Sequence, residues 1–498
     1  MTASVIILGD QLLEDHPALR GHDPASARVV LIESERRLRS LPYHRKKQVL
    51  ILSAMRHYAD GLRRRGFRVD YRRARTFSEG LREHLAEYAP ERLVMMAASE
   101  FSARRAQSQL ADTLHLPVDV LPNAQFLVES YDPFPDPDRR VIMETFYRAM
   151  RRHFRVLMAG ADPAGGAWNF DHENRRPLPK SLTPPPLEGF PPDAITQQVM
   201  AEVEAAGHGV GTTEGFAYAV THEGARRALD AFIAQRLPDF GAYEDAMTRR
   251  HRTLFHSVLS PYLNIGLLTP MMLVRAAEAA FERGDAPINS VEGFIRQVIG
   301  WREYMYWQYW RQMPALLEKN YWNARRPLPA FFWTGETPMN CLRYTLRDLE
   351  ETAYSHHIQR LMLISSFCLM AGVEPQAVVA WFSSFYIDAY DWVMQPNVVG
   401  MGLNADGGIT ATKPYISSAS YIHRMGDYCS GCAFDHRQRH GDRACPFNLL
   451  YWNFLILHEQ TLRAHPRFGQ AVLGLRHLSE DDRRAISVET AAFLDGLA

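Results

Sequence analysis

Five short apolar runs, "SVIILGDQL", "ARVVLIES", "FRVDYRRA", "RLVMMAASE" and "PVDVLPN", punctuate the first quarter of the chain, with helix-patterned stretches such as Gln48 to Arg64 between them. A run of about four to eight apolar residues bounded by turn residues reads as a strand buried on both faces, and strands alternating with helices require a parallel sheet. Residues 1–130 are therefore predicted to form a doubly wound α/β domain, whose ligands bind outside the carboxyl ends of its strands. The first strand ends at Gly9-Asp10 without a G-x-G-x-x-G, which argues against a nicotinamide dinucleotide there.

The texture then changes. The stretch "ADPAGGAWNFDHENRRPLPKSLTPPPLEGFPPDAI" is too rich in Pro and Gly for one helix or strand, so residues 131–200 read as an interdomain connection. Residues 201–498 carry helical periodicity, as in "EGARRALDAFIAQRL", "PMMLVRAAEAAFERG", "VEGFIRQVIGWREYMYWQYW" and "HHIQRLMLISSFCLMAG", and predict a large all-α domain without internal repeats. A chain of 498 residues, 46% of them hydrophobic, is long enough for two cores. No apolar run reaches the roughly eighteen residues of a membrane span, and "MTASVIILGD" has no basic stretch ahead of its apolar one, so no membrane is expected and the compartment is expected to be cytoplasmic. Basic and acidic residues balance at 56 each; any nucleic-acid binding must use a local basic face.

Three of the five cysteines fall within "YCSGCAFDHRQRHGDRACPF": Cys429 and Cys432 as a C-x-x-C, then Cys445 after twelve residues. So few cysteines in a reducing compartment argue for metal or redox use of any that cluster. Cys368, inside the apolar run "LISSFCLMAG", reads as a small core residue, whereas Cys341 in "PMNCLRY" follows a turn region that can present a thiolate. Spacing alone leaves two readings open. Zinc could be held by three cysteines with His436 or His440, or an iron-sulfur cluster by Cys341, Cys429, Cys432 and Cys445.

Three further segments, "FHSVLSPYLNIGLLTP", "FIRQVIGWREYMYW" and "YSHHIQRLMLI", together resemble the photolyase and cryptochrome superfamily, where such segments surround a folded flavin. With the four cysteines added, the chain is similar to the bacterial iron-sulfur branch, the prokaryotic (6-4) photolyases and related cryptochromes. The resemblance runs from "ILGDQL" and "SAMRHY" through "WNFDHENR", "DAYDWVMQPNVVGM" and "TKPYISS" to "ACPFNLLYW". It implies FAD in the helical domain, a 4Fe-4S cluster on the four cysteines and a 6,7-dimethyl-8-ribityllumazine antenna in the first domain. The activity it implies is light-driven repair of (6-4) pyrimidine-pyrimidone photoproducts by electron transfer from excited reduced FAD.

The resemblance also implies roles for residues. Ser257 and Ser260, with Arg302, are expected to bind the flavin phosphates, for which hydroxyls and free amides at a helix start are suited, and Leu259 between them is expected to contact the cofactor; on local sequence alone "SVLS" reads as an N-cap serine pair. Asp388 and Asp391 are expected at the ribityl chain or isoalloxazine edge, with Asn397 closing the stretch, and Met394 stands where many relatives carry a polar residue. His357 is matched to the proton donor of repair and His356 to its neighbour or orienter. Successive helical residues point about 100° apart, so the two cannot face one site equally; without the resemblance, a histidine on an apolar helix reads as structural. Trp381, Trp333 and Tyr421 form the expected route that re-reduces the flavin, and Trp301 lines the mouth where a flipped lesion stacks.

The expected partner is UV-damaged DNA with its lesion flipped into the helical domain, met by a monomer. "YRAMRRHFR" and "ENRRP" bring arginines to the connection, and Arg175 is singled out for DNA binding. Gly9, Asp10 and Glu33 lie at strand ends where an antenna sits, but Arg37 stands where relatives carry an acid. Two other readings stand beside repair: a cryptochrome-type blue-light photoreceptor with the same cofactors, and a non-enzymatic iron-sulfur nucleic-acid-binding module. A histidine at position 357 favours repair.

Overall fold

A computed structural model describes residues 2–464 and 469–497. Strands β1 (Ala3–Ile6), β2 (Arg28–Ser34), β3 (Arg68–Ala74), β4 (Arg92–Met96) and β5 (Val118–Leu121) form one parallel sheet in the order β3-β2-β1-β4-β5. The order reverses between β1 and β4, which opens a crevice at their carboxyl ends. Helix α1 (Arg45–Arg64) covers one face, burying Val49, Leu50, Met55, Tyr58 and Leu62 in the core that holds Val5 and Val29. Helix α2 (Phe77–Tyr88) covers the other, where Leu81 joins Ile6, Val30 and Leu93. Burial on both faces is why β1, β2 and β4 read as apolar runs, whereas the edge strands β3 and β5 are partly exposed and carry charged residues. Helix α3 (Phe101–Ser108) follows β4.

The connection is more structured than its composition suggests. Helix α4 (Met143–Phe154) lies within it, and its Tyr147 hydroxyl donates to buried Glu292 at 3.0 Å. Its longest spans without helix or strand are 131–142 and the Pro-rich 174–193. Helix α5 (Ala194–Ala206), capped by the Asp193 side chain, packs back on α1 before the chain enters the helical half.

That half comprises α6 (His222–Gln235), α7 (Pro270–Arg283), α8 (Ile288–Ile295), α9 (Glu303–Gln312), α10 (Asn340–Thr352), α11 (Ser366–Ala371), α12 (Pro375–Phe385), α13 (Ala419–Met425), α14 (Pro446–Leu457) and α15 (Glu480–Asp495), besides shorter turns. Among the described residues π-helical stretches interrupt it at Arg296–Arg302, Gln359–Ser365 and Gln395–Gly402. Each falls in or beside a segment that carries an expected site residue, and such register shifts are common at functional sites. The two halves share one core, in which Leu12 and Val49 meet Leu263, Ile265 and Trp392. A second core around Phe367, Trp381 and Phe447 belongs to the helical half and absorbs Cys368 as a packing residue. Among the described residues no helix is long and apolar enough to cross a membrane.

Candidate active site

A cavity of about 480 Å³ opens between the Pro-rich span and the helical half, walled in part by Tyr218, Arg236, Arg250, Arg252, Ser257, Tyr262 and Tyr354. Its size lies within the roughly 300–1,000 Å³ of small-molecule clefts. Ser257 is presented from a strained loop: Leu254 and Val258, neither of them glycine, hold φ of 48° and 55°, a conformation that costs a β-branched residue energy and is kept where the surroundings enforce it. Arg236, just past the end of α6, is 2% exposed, donates Nη1 to the His256 carbonyl at 3.1 Å and leaves Nε without a partner. Burial pulls its guanidinium down to about 10, and no carboxylate offsets the loss. A buried cation without a counter-charge makes this wall suited to an anion.

Arg302 is not on that wall, contrary to expectation. Its Nη1 donates to the Gln125 carbonyl and to Glu303, and the guanidinium lies over the rings of Phe126 and Trp392. The adjacent Glu303 accepts from the amides of Leu127 and Val128, so the pair ties the halves together. Leu259 is buried in the shared core. Ser260 opens a short helix but does not cap it; its hydroxyl donates to Asp388 Oδ2 at 2.6 Å. Asp388 also takes both terminal nitrogens of Arg360, at 3.0 and 3.1 Å, and Arg360 reaches the Ser355 carbonyl and lies over Tyr386. Sequence reasoning missed Arg360, although it stands three residues after the His-His pair. Asp391 is turned away from this cluster and accepts from the Tyr309 hydroxyl at 2.5 Å, while its amide donates to Glu100 across the domain interface. Asn397 is spent on the Val393 carbonyl, and Met394 is packed in the second core.

His356 and His357 meet a third histidine that the sequence did not single out. His256 stacks on His356 with centroids 4.5 Å apart and meets His357 edge-on at 5.2 Å. Burial pushes both His256 and His356 well below the usual imidazole range, so both are neutral near pH 7. His357 is different: its side chain is 42% exposed and its Nε2 lies 3.8 Å from Asp245 Oδ1. Beneath it Glu244 accepts from Gln297 at 2.8 Å and Asn174 at 3.1 Å, and burial raises its carboxyl to about 7. Gly293 permits this closeness, because a Cβ there meets Asn174 Nδ2 at 2.8 Å. Tyr421 stands on this side too, with Asp245, Arg424 and Arg175 as its charged neighbours. Arg175 is paired with Asp171, which also accepts from Arg296. Trp301 is half-buried on the first π-helical stretch, against Tyr304.

Trp381 is fully buried and donates Nε1 to the Phe332 carbonyl. Phe385 lies between it and Trp333, with centroids 5.0 Å from Trp381 and 5.7 Å from Trp333, whose exposure of 42% puts it at the surface. Inward, Trp381 meets Tyr386 at 6.2 Å, and Tyr386 underlies Arg360. A line of aromatic rings therefore leads from solvent to the Arg360–Asp388 pair. Tyr421 is outside it.

A separate small cavity is walled by Cys341, Cys429, Cys432 and Cys445 together with Met339, Tyr428, Phe434 and His436. Cys341 comes from the first turn of α10 and Cys445 from the residue before α14, while Cys429 and Cys432 come from the loop between α13 and α14. Asn448 fixes that loop by donating to the carbonyls of His436 and Gln438 and accepting from the Ala419 amide. Burial and the neighbouring sulfurs push the Cys341 thiol well up, and Cys429 and Cys445 rise to about 11 and about 12. Of the two candidate histidines, His440 is held by Asp482 at 3.0 Å, and His436 stacks on His423.

At the strand ends Glu33 accepts from Arg56 at 2.9 Å and Tyr71 at 2.5 Å. Asp10 takes the Ser99 hydroxyl, and Arg37 bridges to Glu100 at 2.8 Å. Gly9 packs against α1, where a Cβ meets Met55 Sδ at 2.8 Å.

Comparison with known proteins bears on the family and the fold. The family model described as "Deoxyribodipyrimidine photo-lyase-related protein" matches residues 5–218. A (6-4) photolyase of Agrobacterium fabrum is 43% identical over 99% of both chains. Two solved structures share the fold. A bacterial class III photolyase from Agrobacterium tumefaciens is 17% identical with a TM-score of 0.58, over 99% of this chain and 98% of that one. A Synechocystis cryptochrome is 13% identical with a TM-score of 0.57, over 85% and 86%.

Proposed function

We propose that this chain, which belongs to the photolyase and cryptochrome family, repairs (6-4) photoproducts in DNA under light. The observation that carries this reading is the full-length identity to a protein named as a (6-4) photolyase. Residues 1–130 serve as the α/β domain, 131–200 as the connection and 201–498 as the catalytic domain. FAD, when bound, supplies the light-driven electron. Its diphosphate suits Arg236 and Ser257 in the large cavity, and Ser260, Asp388 and Arg360 offer polar contacts to the rest. Four sulfurs around one small cavity suit a 4Fe-4S cluster, which ties α10, α14 and the loop before it together. No step is assigned to a lumazine antenna; at the strand ends Glu33, Asp10 and Arg37 are paired with Arg56, Ser99 and Glu100.

UV-damaged DNA is met by a single chain in the cytoplasm, with the lesion entering between Trp301 and His357. His357 holds the proton for the lesion at the one imidazole of the three that water reaches, and Asp245 orients it. His256 and His356, buried and neutral, exclude water behind it. Trp333, Phe385 and Trp381 connect the surface to the flavin's polar contacts. Illumination of the reduced protein with an oligonucleotide carrying a (6-4) thymine photoproduct tests the reading. Restored thymines are expected, and nearly all of that activity is lost in His357→Ala while flavin content is kept. Flavin photoreduction without any repair transfers the chain to the photoreceptor reading.

A further inference from the structure

We propose that His256, His356 and His357 form a binding site for a borderline divalent transition-metal ion, of which Zn²⁺ is the type. One ligand nitrogen from each lies within 4.8 Å of the others. His256 Nε2 and both nitrogens of His356 are buried and have no hydrogen-bond partner among the described residues. Buried imidazole nitrogens are ordinarily satisfied, so three unpartnered ones in a single stack mark a place where something else supplies the bond. Bonds of 2.0–2.1 Å in tetrahedral geometry bring the nitrogens to roughly 3.4 Å, which side-chain rotations of about an ångström reach. An all-imidazole set selects zinc, copper or nickel over magnesium or calcium, which require oxygen ligands. His357 supplies the way in, since it is the exposed member, and Asp245 stands 3.8 Å from its Nε2 to support it from outside.

An ion held there occupies the lone pair of His357 and prevents it from carrying a proton. Resting on the repair reading, the site is thus an inhibitory one, through which excess zinc stops repair without touching the flavin. A second group, His423, Cys429 and His436, also brings ligand atoms within 4.8 Å, but its cysteine belongs to the four-thiol cavity.

The test is a Zn²⁺ titration of the cofactor-loaded protein, measuring zinc retained per chain, iron content and repair. One zinc per chain is expected with iron unchanged, and repair is lost and then restored by a chelator. His357→Ala, at a half-exposed position that leaves folding intact, and His256→Phe, which keeps the ring stack, are each expected to weaken zinc binding by about tenfold or more. Failure to retain zinc overturns the proposal, as does retention that His357→Ala leaves untouched and His423→Ala abolishes. Zinc bound through the three histidines with repair unchanged upholds the site and instead removes His357 from the repair step.

Discussion

The crevice at the strand ends and the cavity in the helical half are both lined with charged side chains, yet they are finished differently. In the first, Glu33 is held by Arg56 and Tyr71, Arg37 by Glu100 and Asp10 by Ser99. In the second, Arg236 has an unpartnered Nε and no carboxylate, and the histidine stack beyond it has three unpartnered nitrogens. An unsatisfied buried polar group costs about 1–3 kcal/mol, so several of them together on one wall suit a ligand that supplies the missing bonds. The contrast supports the proposal that the flavin lies in the helical half.

The largest expected effect lies at the four-cysteine cavity, where a structural metal contributes on the order of 10 kcal/mol to folding. Cys341→Ala should purify poorly, without iron and without broad visible absorption, while His436→Ala should keep both. Stoichiometric zinc and no iron in the purified wild-type protein contradicts the cluster.

Electron supply comes next. Trp381→Phe preserves the packing against Phe385 but puts a ring that is much harder to oxidise into the line from Trp333. Photoreduction by an external thiol should slow by about tenfold or more, for which a barrier increase of about 1.4 kcal/mol suffices, with flavin content unchanged. An unchanged rate means that electrons enter elsewhere.

A smaller effect is expected at Glu244. Its carboxyl, raised by burial to about 7 from an ordinary 4.5, keeps a proton that the unfolded chain has already released. Its contribution is therefore most favourable below about pH 4.5 and is lost as pH rises through 4.5 to 7; at about 1.36 kcal/mol per pKa unit, the loss is at most about 3.4 kcal/mol. Chemical denaturation of Glu244→Gln across that window should show a flatter profile than wild type, and parallel profiles contradict the assignment.

Much of this was legible in the sequence, because two periodicities, alternating short apolar runs and then helical stripes, specify a doubly wound sheet followed by a helical domain. Cys341 could be told from Cys368 because a turn precedes one and an apolar helix encloses the other. What the sequence hid are partnerships made by folding. Arg236 and Ser257 lie on different elements, as do His256 and His356, and neither Arg236 nor His256 sits in a pattern that marks it. Arg302 misled because its neighbour Glu303 claims it for the domain interface. Asp388 and Asp391 looked like one pair, but the turn between them sends Asp388 to Arg360 and Asp391 to Tyr309. Tyr421 faces Asp245 and not the tryptophan line.

The most direct measurement is the flavin released on denaturation from wild type, Arg236→Ala and Arg37→Ala purified side by side. If the unpaired cation of the helical half receives the flavin diphosphate, Arg236→Ala should bind FAD about tenfold or more weakly, the worth of one charge-assisted contact, while keeping its iron and its fold. Arg37→Ala, which removes only a half-exposed ion pair worth about 0–1 kcal/mol, should retain a full complement. Full flavin in Arg236→Ala, or loss of flavin in Arg37→Ala, contradicts the account.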